Sequence, residues 1–278
     1  GRHLVCLGLS DLSDHSTYSE RRLVNIQSEG GSISLNGTVR FVDGADVADS
    51  VLVSFRLDDG SSCLALIDRN ASGIVTVPLL TTAKDSQADL VLNDVRVLAG
   101  QMVAKGDVAD KLISAAVDLA TALSVSLMAG GARRVLEFAA EYAKGRMAFG
   151  HPIGAFQAIQ HLAADMLNAV DGSELLVREA IWRMDNGLPC RTEVSQAEAF
   201  ANERCVMGCR SAQQIHGGIG FMEEFDLHLW YRHVVAWSLR WGTVMEHRTR
   251  VAASLMDQPG FVRLDQNTDT GGKRPFKN

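Results

Sequence analysis

The hydrophobic period of this chain changes once, near Gly106, and that change decides most of what it can fold into. Before it, apolar residues alternate. Val51, Val53, Phe55 and Leu57 interleave with Leu52, Ser54 and Arg56, the two-residue period of a strand with one buried face. Ile33 and Leu35 alternate ahead of Asn36-Gly37, which reads as a hairpin turn. Further strands are expected at Cys63 to Ile67 and around Leu90, Leu92, Val95 and Val97, with turns at 58–62 and 69–73. Short, regularly spaced strands predict a compact barrel or sandwich. After Gly106, Val135, Phe138, Ala139 and Tyr142 fall at i, i+3, i+4 and i+7, one face of a helix. Ile159, Leu162, Met166 and Val170 repeat that spacing and predict a helix running to Met184, stopped by Asn186-Gly187 and Pro189. The next helix carries Ala197, Ala201, Cys205, Gly208 and Ala212 on one side, small residues that let a neighbour approach closely. A fourth helix is expected from about Val234 to Met256. The expected fold class is therefore α+β: a β-domain over 1–105, a four-helix bundle over 106–258 and a polar tail over 259–278.

Composition excludes several function classes. Lys and Arg total 27 against 33 Asp and Glu, a mildly acidic balance that argues against a nucleic-acid partner, whose phosphates would demand a basic patch. No apolar run approaches the roughly 20 residues of a membrane span, and the first residues lack the apolar core of a secretory signal. The five Cys are odd in number and have no CxxC spacing, which predicts reduced thiols in a cytoplasm and no metal site. Cys205 and Cys209 share a helix face and read as a packed pair.

Three segments of the helical half carry more specific information. The first is Tyr142-Ala143-Lys144-Gly145-Arg146-Met147-Ala148-Phe149-Gly150, followed by Pro152-Ile153 and Phe156-Gln157-Ala158-Ile159-Gln160. The second is Gln214-Ile215-His216-Gly217-Gly218-Ile219-Gly220-Phe221, and the third is Gly242-Thr243 with Arg248. In this order and spacing they resemble the acyl-CoA dehydrogenase family. Leu35-Asn36-Gly37 and Ala48-Asp49 agree with that family's β-domain pattern.

The resemblance implies a flavin enzyme that removes hydrogens from Cα and Cβ of an acyl-CoA, a carboxylate taking the α-proton and the flavin taking the β-hydride. It also implies an N-terminal helical domain; this sequence opens on the β-domain, so that domain is expected to be missing, shortened or encoded elsewhere. In the family FAD lies at a subunit interface. The resemblance assigns the dinucleotide end to Arg146, Phe149, Gln157, Gln214, Gly217, Gly218 and Thr243. Arg146 suits pyrophosphate charge, the two Gln suit polar cofactor edges, and the glycines admit backbone close to a ligand. Blander readings remain beside these: Arg146 as a helix-end cation and Gly217-Gly218 as a helix stop. His216 receives no role.

The other half of the family's site is degraded. The T-E-P-x-x-G-S-D loop is here Ser10-Asp11-Leu12-Ser13-Asp14-His15, and the W-I-T tripeptide is Phe41-Val42-Asp43. Asp43 would set a carboxylate beside a ring that gains electron density. The usual catalytic Glu is Trp241, which accepts no proton. The alternative base position is Ala120, next to Thr121 where an Arg is usual. No catalytic residue is therefore assigned. Asp118 matches an acidic residue that contacts the pantetheine of CoA, and it is the candidate for a relocated base. A surface carboxylate is the competing reading for Asp118 and for Glu246.

One half-site kept and the other lost resembles the actinobacterial acyl-CoA dehydrogenases built from two different subunits, several acting on CoA-linked steroid side chains. The expectation is an α2β2 assembly with a paralogous catalytic subunit, which receives this chain's cofactor residues in trans and passes electrons to an electron-transfer partner. A self-sufficient enzyme using Asp118 and a non-catalytic acyl-CoA-binding or partner-binding scaffold are the alternatives.

Overall fold

The computed structural model describes residues 3–9, 25–29, 32–57 and 59–256; the loop at 10–15 and the tail at 259–278 lie outside them. The chain divides into two units, one running to Val117 and one from Asp118. The division thus falls some three turns inside the first helix rather than at its start.

The first unit holds two four-stranded sheets. One has the order β1 (Val5–Gly8), β4 (Ser50–Arg56), β5 (Ser62–Asp68), β8 (Met102–Lys105), with β1 parallel to β4 and the other pairs antiparallel. The other is antiparallel, with the order β2 (Asn25–Glu29), β3 (Ser32–Asp43), β7 (Gln87–Val97), β6 (Ile74–Pro78). Val51, Val53 and Phe55 of one sheet share a single core with Leu35, Val39, Leu90, Leu92 and Val95 of the other, so the arrangement is a sandwich. The two-residue alternation in β4 arises because every second side chain enters that core.

Asn36-Gly37 is not a hairpin turn. β3 runs straight through it, and the register slips by one residue between Leu35 and Gly37. The pair forms a bulge, which uses the same glycine freedom as a turn (Gly37 φ 144°) but bends the strand instead of reversing it. Asn36 holds the bulge through Asp94, with Nδ2 donating to its carboxylate at 2.8 Å and Oδ1 accepting from its backbone N–H at 2.9 Å.

The second unit begins within α1 (Asp107–Gly145) and continues through α2 (Gln157–Asp185), α3 (Arg191–His216), α4 (Leu227–Ser238) and α5 (Val244–Met256). The expectation that no apolar run approaches a membrane span is corrected by α1, which contains an 18-residue window of mean hydropathy 1.8, long and apolar enough by composition to cross a membrane. In the bundle its Ala122, Val125, Met128, Ala132, Val135 and Ala139 are core. The small-residue stripe of α3 is buried at Ala197, Ala201, Cys205, Gly208 and Ala212. α2 and α3 are antiparallel: Gly172 backs onto the Phe200 ring, and Gly208 onto Met166. That register sets the start of α2 level with the end of α3. Cys205 and Cys209 are fully buried in this core, with Cys205 Sγ 3.4 Å from Ser173 Oγ. Burial pushes the Cys205 thiol up to about 11.

The expected single fourth helix is two. The chain leaves helical geometry between Ser238 and Val244 because Trp241 is left-handed (φ 61°) and Gly242 has φ 123°. A reciprocal cap then starts α5: Glu246 N–H donates to Thr243 Oγ1 at 3.2 Å, and Thr243 N–H donates to the Glu246 carboxylate at 2.6 Å.

Candidate cofactor half-site

The first motif lies where α1 turns into α2. α1 overruns into Arg146, whose N–H donates to Tyr142 O at 2.8 Å, and Arg146 O then accepts from Ile153 N–H at 2.8 Å. Between them a small hairpin pairs Met147–Ala148 with His151–Pro152. Its tip is Phe149-Gly150, both left-handed (φ 52° and 87°). Phe149 is 91% exposed, touching Phe156 edge-on with centroids 6.2 Å apart. Gln157 opens α2 and is exposed, while the nearby Gln160 is engaged, with Nε2 donating to Gly154 O at 2.9 Å.

The second motif ends α3. Gln214 faces solvent in the last turn, and Gly217 (φ 61°) closes the helix with its N–H directed at the carbonyls of Gln213 and Gln214. Both Gly217 and Gly218 are exposed, and a Cβ on either would meet nothing within 4 Å. Gly220 differs. It is buried, and a Cβ there would lie 3.0 Å from His216 Cβ and 3.2 Å from Gln213 O.

The antiparallel register brings these two motifs to one end of the bundle. The remaining predicted residues lie elsewhere. Thr243 is exposed at the start of α5, whose Arg248 pairs with Glu203 near the middle of α3 at 2.6 Å, well over two turns from Gln214. Asp118 lies about 40 Å from Arg146 along α1, taking 1.5 Å per residue. It is half-buried, in the fields of Arg191 and Arg250. Burial raises its carboxyl pKa, and the two guanidinium groups pull it back. Thr121 is buried, and Ala120 half-buried, on the same stretch. In the β unit, Asp43 ends β3 and accepts from Gln87 Nε2 at 3.0 Å; Phe41 is left-handed (φ 55°), with its N–H on the Asp89 carboxylate at 2.9 Å.

Several groups at the Arg146–Gly218 end are uncommitted. Among the described residues, Arg146 makes no ion pair, and neither Gln157 nor Gln214 has a side-chain hydrogen bond. A free guanidinium, two free amides, an outward aromatic ring and a bare backbone segment suit a ligand with anionic, polar and planar parts. A dinucleotide is such a ligand, so the residues present fit FAD.

Sequence reasoning missed three buried groups: His216, Glu198 and His247, all within 4% of full burial. His216 was visible in the motif; the other two carry no motif at all.

Comparison with known proteins agrees with the geometry. Residues 100–256, more than half of the chain, match the family described as "Acyl-CoA dehydrogenase, C-terminal domain". A probable acyl-CoA dehydrogenase of Bacillus subtilis, YngJ, is 29% identical over 237 residues, covering 82% of this chain and 62% of the relative. The human mitochondrial short-chain specific acyl-CoA dehydrogenase is 28% identical over 268 residues, covering 92% and 64%. Among solved structures, the ChsE4-ChsE5 complex from Mycobacterium tuberculosis superposes with a TM-score of 0.82 at 26% identity, covering 92% of this chain and 67% of that one. The chain spans less than two thirds of the length of these two sequence relatives. With the bundle, its two motifs and the sandwich all in place, the chain belongs to the acyl-CoA dehydrogenase family.

Proposed function

We propose that this chain is a subunit of a flavin-dependent acyl-CoA dehydrogenase and lends half of an FAD site to a paralogous catalytic subunit. The observation that carries the reading is the uncommitted set Arg146, Phe149, Gln157, Gln214, Gly217 and Gly218 at one end of the bundle. Arg146 would neutralise pyrophosphate charge, the two amides would hydrogen-bond polar edges, and Gly217-Gly218 would admit backbone close to the ligand. FAD, when bound, supplies the hydride acceptor for Cα–Cβ desaturation.

Nothing at the usual base position of this chain can take the α-proton. Trp241 stands there, held left-handed in the turn between α4 and α5. The partner would therefore supply the base as well as the isoalloxazine cradle. An α2β2 assembly in the cytoplasm, an electron-transfer partner and a steroid side-chain CoA as substrate complete the proposal. The family relative solved as a two-component complex supports a heteromeric arrangement. Steroid side chains rest on analogy alone.

A second reading makes Asp118 a relocated base in a self-sufficient enzyme, favoured by burial that raises its carboxyl toward proton-accepting range. Arg191 and Arg250 work against it by holding the carboxylate charged. Flavin absorbance separates the two readings. The shared site predicts no flavin on the chain alone, one flavin per pair in the complex, and loss on Arg146→Ala. Full occupancy of the chain alone, with acyl-CoA oxidation abolished by Asp118→Asn, would establish the second reading. No flavin in any assembly would leave a scaffold.

A further inference from the structure

We infer that His216 is a positioning residue for the cofactor half-site, clamping the Arg146 segment and the Gly217-Gly218 segment to one another; the inference rests on the proposed function. His216 is 4% exposed, at the last residue of α3. Its ring stacks on Tyr142 of α1, with centroids 4.5 Å apart and planes 26° apart. Tyr142 O accepts the Arg146 N–H, so the stack lies one turn below Arg146 on one side and one residue before Gly217 on the other. Phe225, which follows the 3-10 turn Gly217–Phe221, closes on the same imidazole at 5.0 Å and on Phe138 of α1 at 5.9 Å. Gly220 backs onto His216 Cβ, so the turn is wrapped around this side chain. Both ligand-facing segments are thus carried on a single ring cluster.

The hydrogen bonding fixes the tautomer. Nδ1 lies 2.7 Å from Ala212 O, and a carbonyl only accepts, so Nδ1 carries the proton. Nε2 is then a bare acceptor, buried and without a partner among the described residues. A proton added there would make a desolvated cation with no acceptor, and burial accordingly lowers the His216 pKa. The ring therefore acts as a neutral aromatic plate rather than as a charge. Its carbon outline, not its second nitrogen, is what the packing uses, so phenylalanine should replace it and leucine should not.

Amide hydrogen exchange of the full chain, with FAD fluorescence titration of the chain assembled with its partner subunit, tests the clamp. His216→Leu keeps volume but removes the ring. It is expected to speed exchange in both 146–150 and 217–221 by roughly three- to tenfold, with a similar loss of FAD affinity. His216→Phe should restore both, and Tyr142→Leu should reproduce the double effect from the other side. Faster exchange in 217–221 alone, or a His216→Phe variant as impaired as His216→Leu, overturns the clamp. If the wild-type complex binds no flavin, the cofactor reading fails, and the exchange measurement still decides whether the two segments are tied.

Discussion

His247 Nε2 donates to the carbonyl of Trp241 across 3.1 Å, joining the first turn of α5 back to the left-handed residue of the turn that precedes it. The imidazole is 1% exposed, and its Nδ1 has no partner among the described residues. Burial, with Arg250 nearby, pushes its pKa down to about 4. A folded pKa below the unfolded value near 6.5 means this group's contribution is fully present above about pH 6.5 and is lost as pH falls through 4. The full difference is on the order of 3 kcal/mol. Unfolding midpoints measured from pH 8 to pH 4 should therefore fall on the acid side, and His247→Gln should flatten that limb. An acid limb of unchanged depth in the variant assigns the loss to other groups.

Glu198 makes the opposite prediction. It is wholly buried on α3; its Oε2 has no partner among the described residues, and Oε1 receives only a long bond from Asn202 at 3.4 Å. Asn202 spends its better bond on Ser238 O, at 2.6 Å. Burial raises the Glu198 pKa to about 8. A raised folded pKa gives stability that is complete below about 4.5 and lost as pH rises through 8, on the order of 5 kcal/mol at the limit. Glu198→Gln keeps the shape and an acceptor for Asn202 without the ionisation. Its unfolding midpoint should exceed the wild type's at pH 8–9 and match it near pH 5. Parallel curves across that range would show that the carboxyl titrates normally.

Arg146 should behave as a ligand group and not as a structural one. It is exposed and has no ion pair among the described residues, so Arg146→Ala is expected to shift stability by less than about 0.5 kcal/mol. Flavin occupancy of the complex should nevertheless fall, and Arg146→Lys should recover only part of it, because an ammonium cannot offer the planar fork. A thermal destabilisation comparable to the flavin loss would point to a helix-end structural role.

The periodicities made the two units and α2 and α3 legible, because a half-buried strand and an amphipathic helix impose their own repeats on sequence. What escaped was backbone geometry that uses the same residues for different ends. Asn36-Gly37 satisfies both a hairpin turn and a bulge, and only pairing with β7 decides for the bulge. The break before α5 carried a readable signal, Thr243-Val244-Met245-Glu246, the Thr-x-x-Glu pattern of a capping box. The apolar residues Val234, Val235, Trp237, Leu239 and Trp241, which lead into it, concealed it. The two motifs of the bundle were legible as strings, but their meeting at one end follows from the α2–α3 register. The remoteness of Asp118 and Thr243 from that end follows from helix length and from the α4–α5 break. Glu198 and His247 left no trace, since a lone buried polar residue has no period or spacing.

The glycines of the second motif separate ligand approach from packing. Gly218 is exposed, a Cβ on it meets nothing within 4 Å, and its backbone is not left-handed. Gly218→Ala should therefore fold with an unchanged midpoint; if the bare backbone admits FAD, flavin occupancy of the complex should drop. Gly220 faces inward, where a methyl would press on His216 Cβ at 3.0 Å and Gln213 O at 3.2 Å. Gly220→Ala should lower stability by about 1–3 kcal/mol, the usual cost of overpacking, and should disturb the His216 stack with it. Thermal unfolding and flavin absorbance on both variants give the comparison. Equal flavin retention in Gly218→Ala and wild type would mean that no ligand approaches that backbone, and the motif would then be a helix stop.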